Sequence, residues 1–384
     1  MTQTSLHSIC TWTFNPGKGG FVPANIRPSW NSKGFSPIDV VDLIAKRIRP
    51  RLPRNIELGL EVHYDNEFNE QNSTDLAEAL VANNIYLAMA TPGAHLYFGY
   101  GGVASLDPAE RRQAQEFAEE AVELVYGKLR KAWHQEPAKY PSFVIWNGSF
   151  GYDVATPLLK DMYQNLKASL AGLCQYEQKK GGELYLAIEP KPNEGHPALL
   201  LPTVASAIAF WKKIIEEFGL SPYKKGINKE LGHSEMIGLD VVNDTIEELD
   251  HQMLIHMHLN SQGYNDGIIL GGPGKYDIDH GVRINAFNIV QATLIAEEGY
   301  KRWKGHDIQP RPYDNEEQAI ERVIRSILSW EACAWAAQKL KRELLAEALS
   351  QRNTAKAEDL MAEAVFIAYR YFREMYSTYG QARL

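Results

Sequence analysis

Cysteine is scarce in this chain. The 384 residues hold three, Cys10, Cys174 and Cys333, far apart and at no metal-binding spacing. That argues against a disulfide framework and for reduced thiols, so a cytoplasmic protein is expected. Long apolar runs are missing too. None reaches the roughly 18 residues of a membrane helix. The opening MTQTSLHSICTWTF has neither a basic n-region nor a long apolar h-region, so no secretory signal is expected. Positive charge is short: 40 Lys and Arg against 48 Asp and Glu leave a net charge of -8. Without a basic stripe the chain is a poor partner for phosphate backbones or anionic membranes, and neither nucleic acid nor membrane is expected to bind it. No G-x-G-x-x-G follows the first candidate strand, which weakens the case for an open dinucleotide-binding sheet.

The composition that remains is ordinary for a globular protein, with 45% hydrophobic and 23% charged residues. Short β-rich runs at 8–14, 56–64, 85–91, 142–147, 184–190, 226–228, 253–260 and 303–308 alternate with longer amphipathic patterns. DPAERRQAQEFAEEAVELVYGKLRKAW opens with Asp before Pro and runs from acidic to basic, as a helix dipole favours. LLPTVASAIAFWKKIIEEFG and INAFNIVQATLIAEEG end on Gly. Strands alternating with helices predict an α/β fold, a (β/α)8 TIM barrel over residues 1–345, with an open doubly wound sheet as the alternative. Residues 346–384 read as a C-terminal helical arm rich in Tyr and Phe. Its aromatics predict packing on another subunit, hence a homo-oligomer, dimer or tetramer; packing on its own barrel is the alternative.

Functional side chains of a barrel sit at the C-terminal strand ends. Those ends present His63, with Asp65 and Asn66 beyond it, Trp146, Glu189 with Lys191, Glu230 with His233, His256 and His258 two apart on one face, and Asp307. KYDIDHG adds Asp277 and Asp279. Taken singly, each has a plain reading: a loop salt bridge, a solvated helix start, a surface turn or a core histidine. Together they put five carboxylates at one end of one architecture, where they repel unless a cation joins them. Carboxylates with imidazoles suit Mg, Mn or Co better than a structural zinc.

AIEPKPNE, GINKELGHSEM, HMHLNSQ, KYDIDHG and HDIQPRP resemble the metal-binding segments of xylose isomerase, in the same order; CTWTF, VHYDNE and FVIWNG resemble its substrate-site segments. The resemblance spans about residues 8–335. It implies two divalent metal ions per chain. Glu189, Glu230, Asp307 and His258 would hold the first, and Glu230, His233, Asp277 and Asp279 the second. It further implies Lys191 at the reacting sugar oxygen, His63 in ring opening, and Trp12 and Trp146 as walls. Phe21 matches a phenylalanine supplied by a neighbouring subunit only with a one-residue gap. The acid that partners His63 in the family aligns nearer Asn66, with Asp65 one residue short, so the expected partner is Asp65 or Asn66.

Three departures stand out. His258 replaces an Asp, as in the related L-rhamnose isomerases; Gln309 replaces a Lys; and Gly93 stands where the family has an aromatic wall. The implied activity is a metal-dependent aldose–ketose isomerisation by 1,2-hydride shift, on an aldopentose or a (deoxy)aldohexose. The alternatives are an epimerase working by proton abstraction on the same scaffold, a metal-dependent nuclease that the acidic charge disfavours, and a silent binding protein that the full ligand set disfavours.

Overall fold

The structure, a computed structural model, describes residues 4–15, 34–194, 196–262, 277, 279–311 and 313–381. Eight strands close into a parallel barrel: β1 (Ser5–Cys10), β2 (Ile56–His63), β3 (Tyr86–Thr91), β4 (Ser142–Trp146), β5 (Tyr185–Glu189), β6 (Lys225–Glu230), β7 (Leu254–His258) and β8 (Lys304–His306). Each strand hydrogen-bonds its sequence neighbours, and β1 pairs with β8 to complete the ring. This is the expected (β/α)8 architecture. The open sheet is excluded because closure leaves no edge strand.

The outer helices are α1 (Pro37–Leu43), α2 (Ser73–Ala82), α3 (Pro108–Gly127), α4 (Leu159–Lys180), α5 (Val204–Phe218), the paired α6 (Leu231–Met236) and α7 (Val241–Asp250), α8 (Ala286–Glu297) and α9 (Glu316–Ala337). Local chemistry sets their ends. Asp107 caps α3 with Pro108 next to it, Thr203 and Ser206 form a capping box on α5, and Gly219 ends α5 in the left-handed conformation.

Strand alternation separates two interiors. Leu58, Leu60 and Val62 of β2 join the large apolar core between barrel and helices. Gly59, Glu61 and His63 alternate with them. The barrel interior holds a smaller apolar set, including Cys10, Met89, Val144 and Ala187, beside buried Ser8, Glu61, His256 and His258.

Two boundaries differ from the sequence reading in ways that shape the site. The run expected as strand 8–14 ends at Cys10, and Thr11–Phe14 coil into a 3-10 turn that turns Trp12 over the barrel mouth. The run expected at 253–260 ends at His258; Asn260–Ser261 then pair antiparallel with His280–Gly281, which brings Asp279 back over β6 and β7.

After the barrel come α10 (Arg342–Ser350) and α11 (Thr354–Met375). Helix α11 lies on α9: Ala364, Ala368 and Met375 join the main core, and Tyr371 stacks on Trp335 at 4.8 Å. Arg51 holds the end of the chain by donating Nε–H to the Gly380 carbonyl at 2.7 Å. Phe366 and Tyr369 on α11 are exposed. Among the described residues, no helix is long and apolar enough to cross a membrane.

Candidate active site

The strand ends converge on one pocket. Trp12, His63, Trp146, Glu189, Lys191, Glu230, His233, His258, Asp277, Asp279 and Asp307 all line it. Glu230 is its centre. It ends β6, and the chain turns at once into α6, so His233 lies three residues on and on the same side, with Nε2 3.0 Å from Glu230 Oε1. His233 donates its other ring N–H, Nδ1, to the Pro190 carbonyl at 3.0 Å, which aims Nε2 at the carboxylates. On the opposite side His258 Nδ1 lies 3.0 Å from Glu230 Oε2, 3.4 Å from Glu189 and 3.8 Å from Asp307.

Of four groups of buried donor atoms among the described residues, three gather around Glu230: Glu189, Glu230 and His233; Glu230, His258 and Asp307; and Glu230, Asp277 and Asp279. The atoms of each group lie within 4.8 Å of one another, and Glu230 belongs to all three. Neutral amides fill the gaps. Asn260 donates to Glu230 and Asp279 at 2.8 and 3.0 Å, and Gln262 donates to Asp277 at 2.6 Å. Asn228 donates to Glu189.

The electrostatics carry the mark of a crowded anionic site. Burial and then the neighbouring Asp277 push Asp279 well above the usual carboxylate range, and burial and then Glu230 do the same to Asp307. Burial followed by Glu230 raises Glu189. Burial would also raise Asp277, but the Lys191 ammonium outweighs it and holds Asp277 well below the usual range. Lys191 itself is buried, which lowers its pKa, yet the adjacent Asp277 and Glu194 carry it well above normal. It hydrogen-bonds both carboxylates and lies 5.0 Å from the face of Trp146. Burial lowers both imidazoles, yet Glu61 and Glu189 lift His258 well above the usual imidazole range and Glu230 lifts His233, so carboxylates and imidazoles crowd one buried space as a donor set that divalent ions fit.

At the other wall, the expected partner of His63 needs correcting. Asp65 is exposed and takes a left-handed conformation at φ 62°. It turns the loop so tightly that the Glu67 and Phe68 amides both donate to the His63 carbonyl, at 2.9 and 3.1 Å. The residue four along, Glu67, thereby returns over the imidazole and takes Nδ1–H of His63 at 3.0 Å. Neither Asp65 nor Asn66 does this. Trp12 lies against the other face of the His63 ring, 4.2 Å between centroids, and donates its indole N–H to Asp307 at 2.8 Å.

The missing wall at Gly93 also changes. Gly93 is left-handed, φ 62°, and a Cβ there would meet the Tyr64 carbonyl oxygen at 2.7 Å. This tight passage delivers His95 into the pocket, 4.4 Å from Trp146 and 5.4 Å from His63. Burial, and then His63, depress His95 well below the usual imidazole range, so it is neutral. Its ring nitrogens have no hydrogen-bond partner among the described residues. The buried Trp146 indole N–H likewise has none. Phe21 lies outside the described residues.

Residues that sequence reading missed are Glu67, His95 and Glu61, the last fully buried beneath His258. Glu61 had a signal: Gly59, Glu61 and His63 form a polar run at period two on the face opposite Leu58, Leu60 and Val62.

These observations define a class first: a (β/α)8 barrel with a buried carboxylate–imidazole centre and an aromatic-walled pocket at the C-terminal mouth. The comparisons then make the relation particular. The chain is 31% identical over 232 residues to the xylose isomerase of Streptomyces lividans, a match covering 58% of this chain and 55% of that protein. It thus spans about half the length of the curated relative it matches, and over that stretch it is similar in sequence to a xylose isomerase. Solved structures of similar fold include an L-ribulose 3-epimerase (TM-score 0.56, 13% identity, 88% of this chain and 97% of that one) and the 3-keto-D-glucoside 4-epimerase of E. coli (TM-score 0.53, 13% identity, 84% and 98%). No protein-family model matches the chain.

Proposed function

We propose that this protein is a divalent-metal-dependent aldose–ketose isomerase. The observation that carries the reading is Glu230, shared by three donor groups, with Lys191 on one side of the same pocket and the His63–Glu67 pair on another. Glu189, Glu230, His258 and Asp307 would hold one ion, and Glu230, His233, Asp277 and Asp279 the second. Such ions supply Lewis acidity to adjacent sugar oxygens.

The chain's own residues do the rest. Glu67 accepts the Nδ1 proton of His63, so Nε2 is free to take the O1 proton of a cyclic sugar and to return a proton to the ring oxygen as the ring opens. Lys191, cationic and fixed by Asp277 and Glu194, stabilises charge developing on O1. Isomerisation then moves the hydrogen on C2, with its electron pair, to C1, while the O2 proton passes to O1; aldehyde becomes alcohol and alcohol becomes ketone. Trp12, Met89, Val144 and Trp146 keep water from the reacting carbons, which favours direct transfer over exchange through an enediol.

His95 brings a polar ring to a wall that an aromatic hydrocarbon would otherwise form, and with the Trp146 N–H it offers unsatisfied hydrogen-bonding groups to sugar hydroxyls. A neutral imidazole among the donors favours Mn²⁺ or Co²⁺ over Mg²⁺. On this basis we assign an aldohexose or 6-deoxyaldohexose at least as readily as an aldopentose; the sparse free cysteines support a cytoplasmic setting, and the exposed Phe366 and Tyr369 support a homo-oligomer built on that side of α11.

An epimerase is the second reading, favoured by the fold neighbours named as epimerases. A panel of aldoses assayed with Mn²⁺ in D₂O tests both. Ketose product without deuterium at carbon supports the isomerase. Deuterium at the reacting carbon supports proton abstraction, and no turnover of any sugar removes both readings.

A further inference from the structure

Barrel interiors are ordinarily filled by bulky aliphatic side chains. Glu61, on β2, is fully buried in this one. Both its oxygens are occupied. Oε1 accepts from the Ser8 hydroxyl and lies 3.0 Å from His256 Nε2. Oε2 lies 2.8 Å from His258 Nε2 and accepts the Cys10 thiol at 3.5 Å. A carboxylate can only accept, so each imidazole nitrogen facing it carries the hydrogen. For His258 this places a hydrogen on Nε2, while Nδ1 meets Glu230, Glu189 and Asp307, where a divalent cation would take the place of the proton that those carboxylates otherwise draw to Nδ1. The neighbouring strand is shaped to the contact. Gly305 pairs with His258, and a Cβ on it would lie 2.2 Å from Glu61 Oε1 and 2.7 Å from His258 Cδ2. His233 makes the contrast plain: a backbone carbonyl holds it from behind, whereas a full carboxylate holds His258.

We infer that Glu61 is the positioning residue for a divalent cation bound by Glu189, Glu230, His258 and Asp307. It fixes His258 as an Nδ1 ligand, raises the basicity of that nitrogen, and sets a negative charge one ring away from the ion. The inference rests on reading the pocket as a metal centre. One rival uses the same atoms. Cys10, Glu61 and His258 also gather donor atoms within 4.8 Å, so a cation could instead sit on the Nε2 side.

The test is a Co²⁺ titration of metal-free protein, followed by calorimetry and visible absorption. The native chain should bind two ions. Glu61→Gln, whose amide can donate as well as accept and so no longer dictates the tautomer, should weaken one of them by about 10–100-fold and alter its absorption bands. His258→Asp alone sets a second carboxylate against Glu61 and should weaken the same ion. Glu61→Gln/His258→Asp, with the charge moved onto the ligand itself, should recover most of the affinity. Additive losses in the double variant, or unchanged binding in Glu61→Gln, overturn the inference and leave the metal reading standing. A native chain that binds no divalent cation defeats both. Should the variants fail to fold, anomalous scattering from Mn²⁺-soaked native crystals decides: a peak on the Nδ1 side of His258 supports the inference, and a peak among Cys10, Glu61 and Nε2 overturns it.

Discussion

The barrel carries two buried chains of histidine and carboxylate, one inside its wall and one outside. Inside, His256, Glu61 and His258 run from Ser142 up to the pocket. Outside, between the wall and α9, Ser326 donates to His306 at 2.8 Å, His306 to His7 at 2.8 Å, and His7 to Glu331 at 2.9 Å. The residue types match, and the strands β1 and β8 that carry the outer imidazoles also border the inner ones. Their ends differ. The outer chain terminates on hydroxyls and a single carboxylate, so every donor meets one acceptor and the network is complete. The inner chain terminates on Glu230, Glu189 and Asp307, an excess of acceptors that protein donors cannot satisfy. Chemistry follows from that imbalance rather than from the presence of histidine. The inner chain should govern activity and the outer one stability.

The most severe way to break the comparison is at its centre. EDTA treatment, or Glu230→Gln, should reduce isomerase activity to background, with Mn²⁺ or Co²⁺ restoring the former only. Full turnover by protein shown free of metal by elemental analysis would overturn the assignment. Lys191→Met comes next. Loss of a donor at developing charge typically costs about 10²–10³ in kcat, and bound metal should be retained; loss of metal instead would make Lys191 structural. Glu67→Gln follows, with about a tenfold lower rate on the cyclic sugar. Asp65→Asn, which removes the charge but tolerates the left-handed backbone, should match wild type, which separates the acid that the loop delivers from the one nearest in sequence.

Much of the inner region was legible in the sequence because it depends on strand ends. Glu189, Glu230 and His258 fall where an apolar period-two run stops, and a barrel sends all such ends to one mouth. What could not be read depends on turns. Glu67 replaces Asp65 because a left-handed residue folds the loop back by four positions, and His95 fills the wall because Gly93 lets the chain pass beneath Tyr64. Glu61 had only its place between Gly59 and His63 to mark it, which did not reveal its partners. A buried carboxylate in mid-strand makes sense only once His256 and His258, nearly 200 residues away, are known to face it. The outer chain was invisible for the same reason: His7 and Glu331 are brought together by barrel closure, and no local pattern announces it.

The smallest expected effect tests the outer chain alone. Glu331→Gln should lower stability by about 1–3 kcal/mol, the usual cost of a weakened buried hydrogen bond to a charged group, and leave kcat unchanged in metal-loaded protein. The pH dependence sharpens the point. Burial holds His7 below its ordinary 6.5, against the opposing pull of Glu331, with Lys304 and His306 beside it. The unfolded chain therefore binds a proton that the folded chain refuses, and stability must fall as pH drops below about 6.5. The slope approaches about 1.4 kcal/mol per pH unit for one such group. His7→Gln removes that group, so its stability curve, measured by urea denaturation between pH 5 and 7 (values taken as roughly the imidazole range), should be flatter than that of the native protein. An equal slope in both would mean that His7 already takes up its proton in the folded state, and the outer chain would then be a titrating element like the inner one.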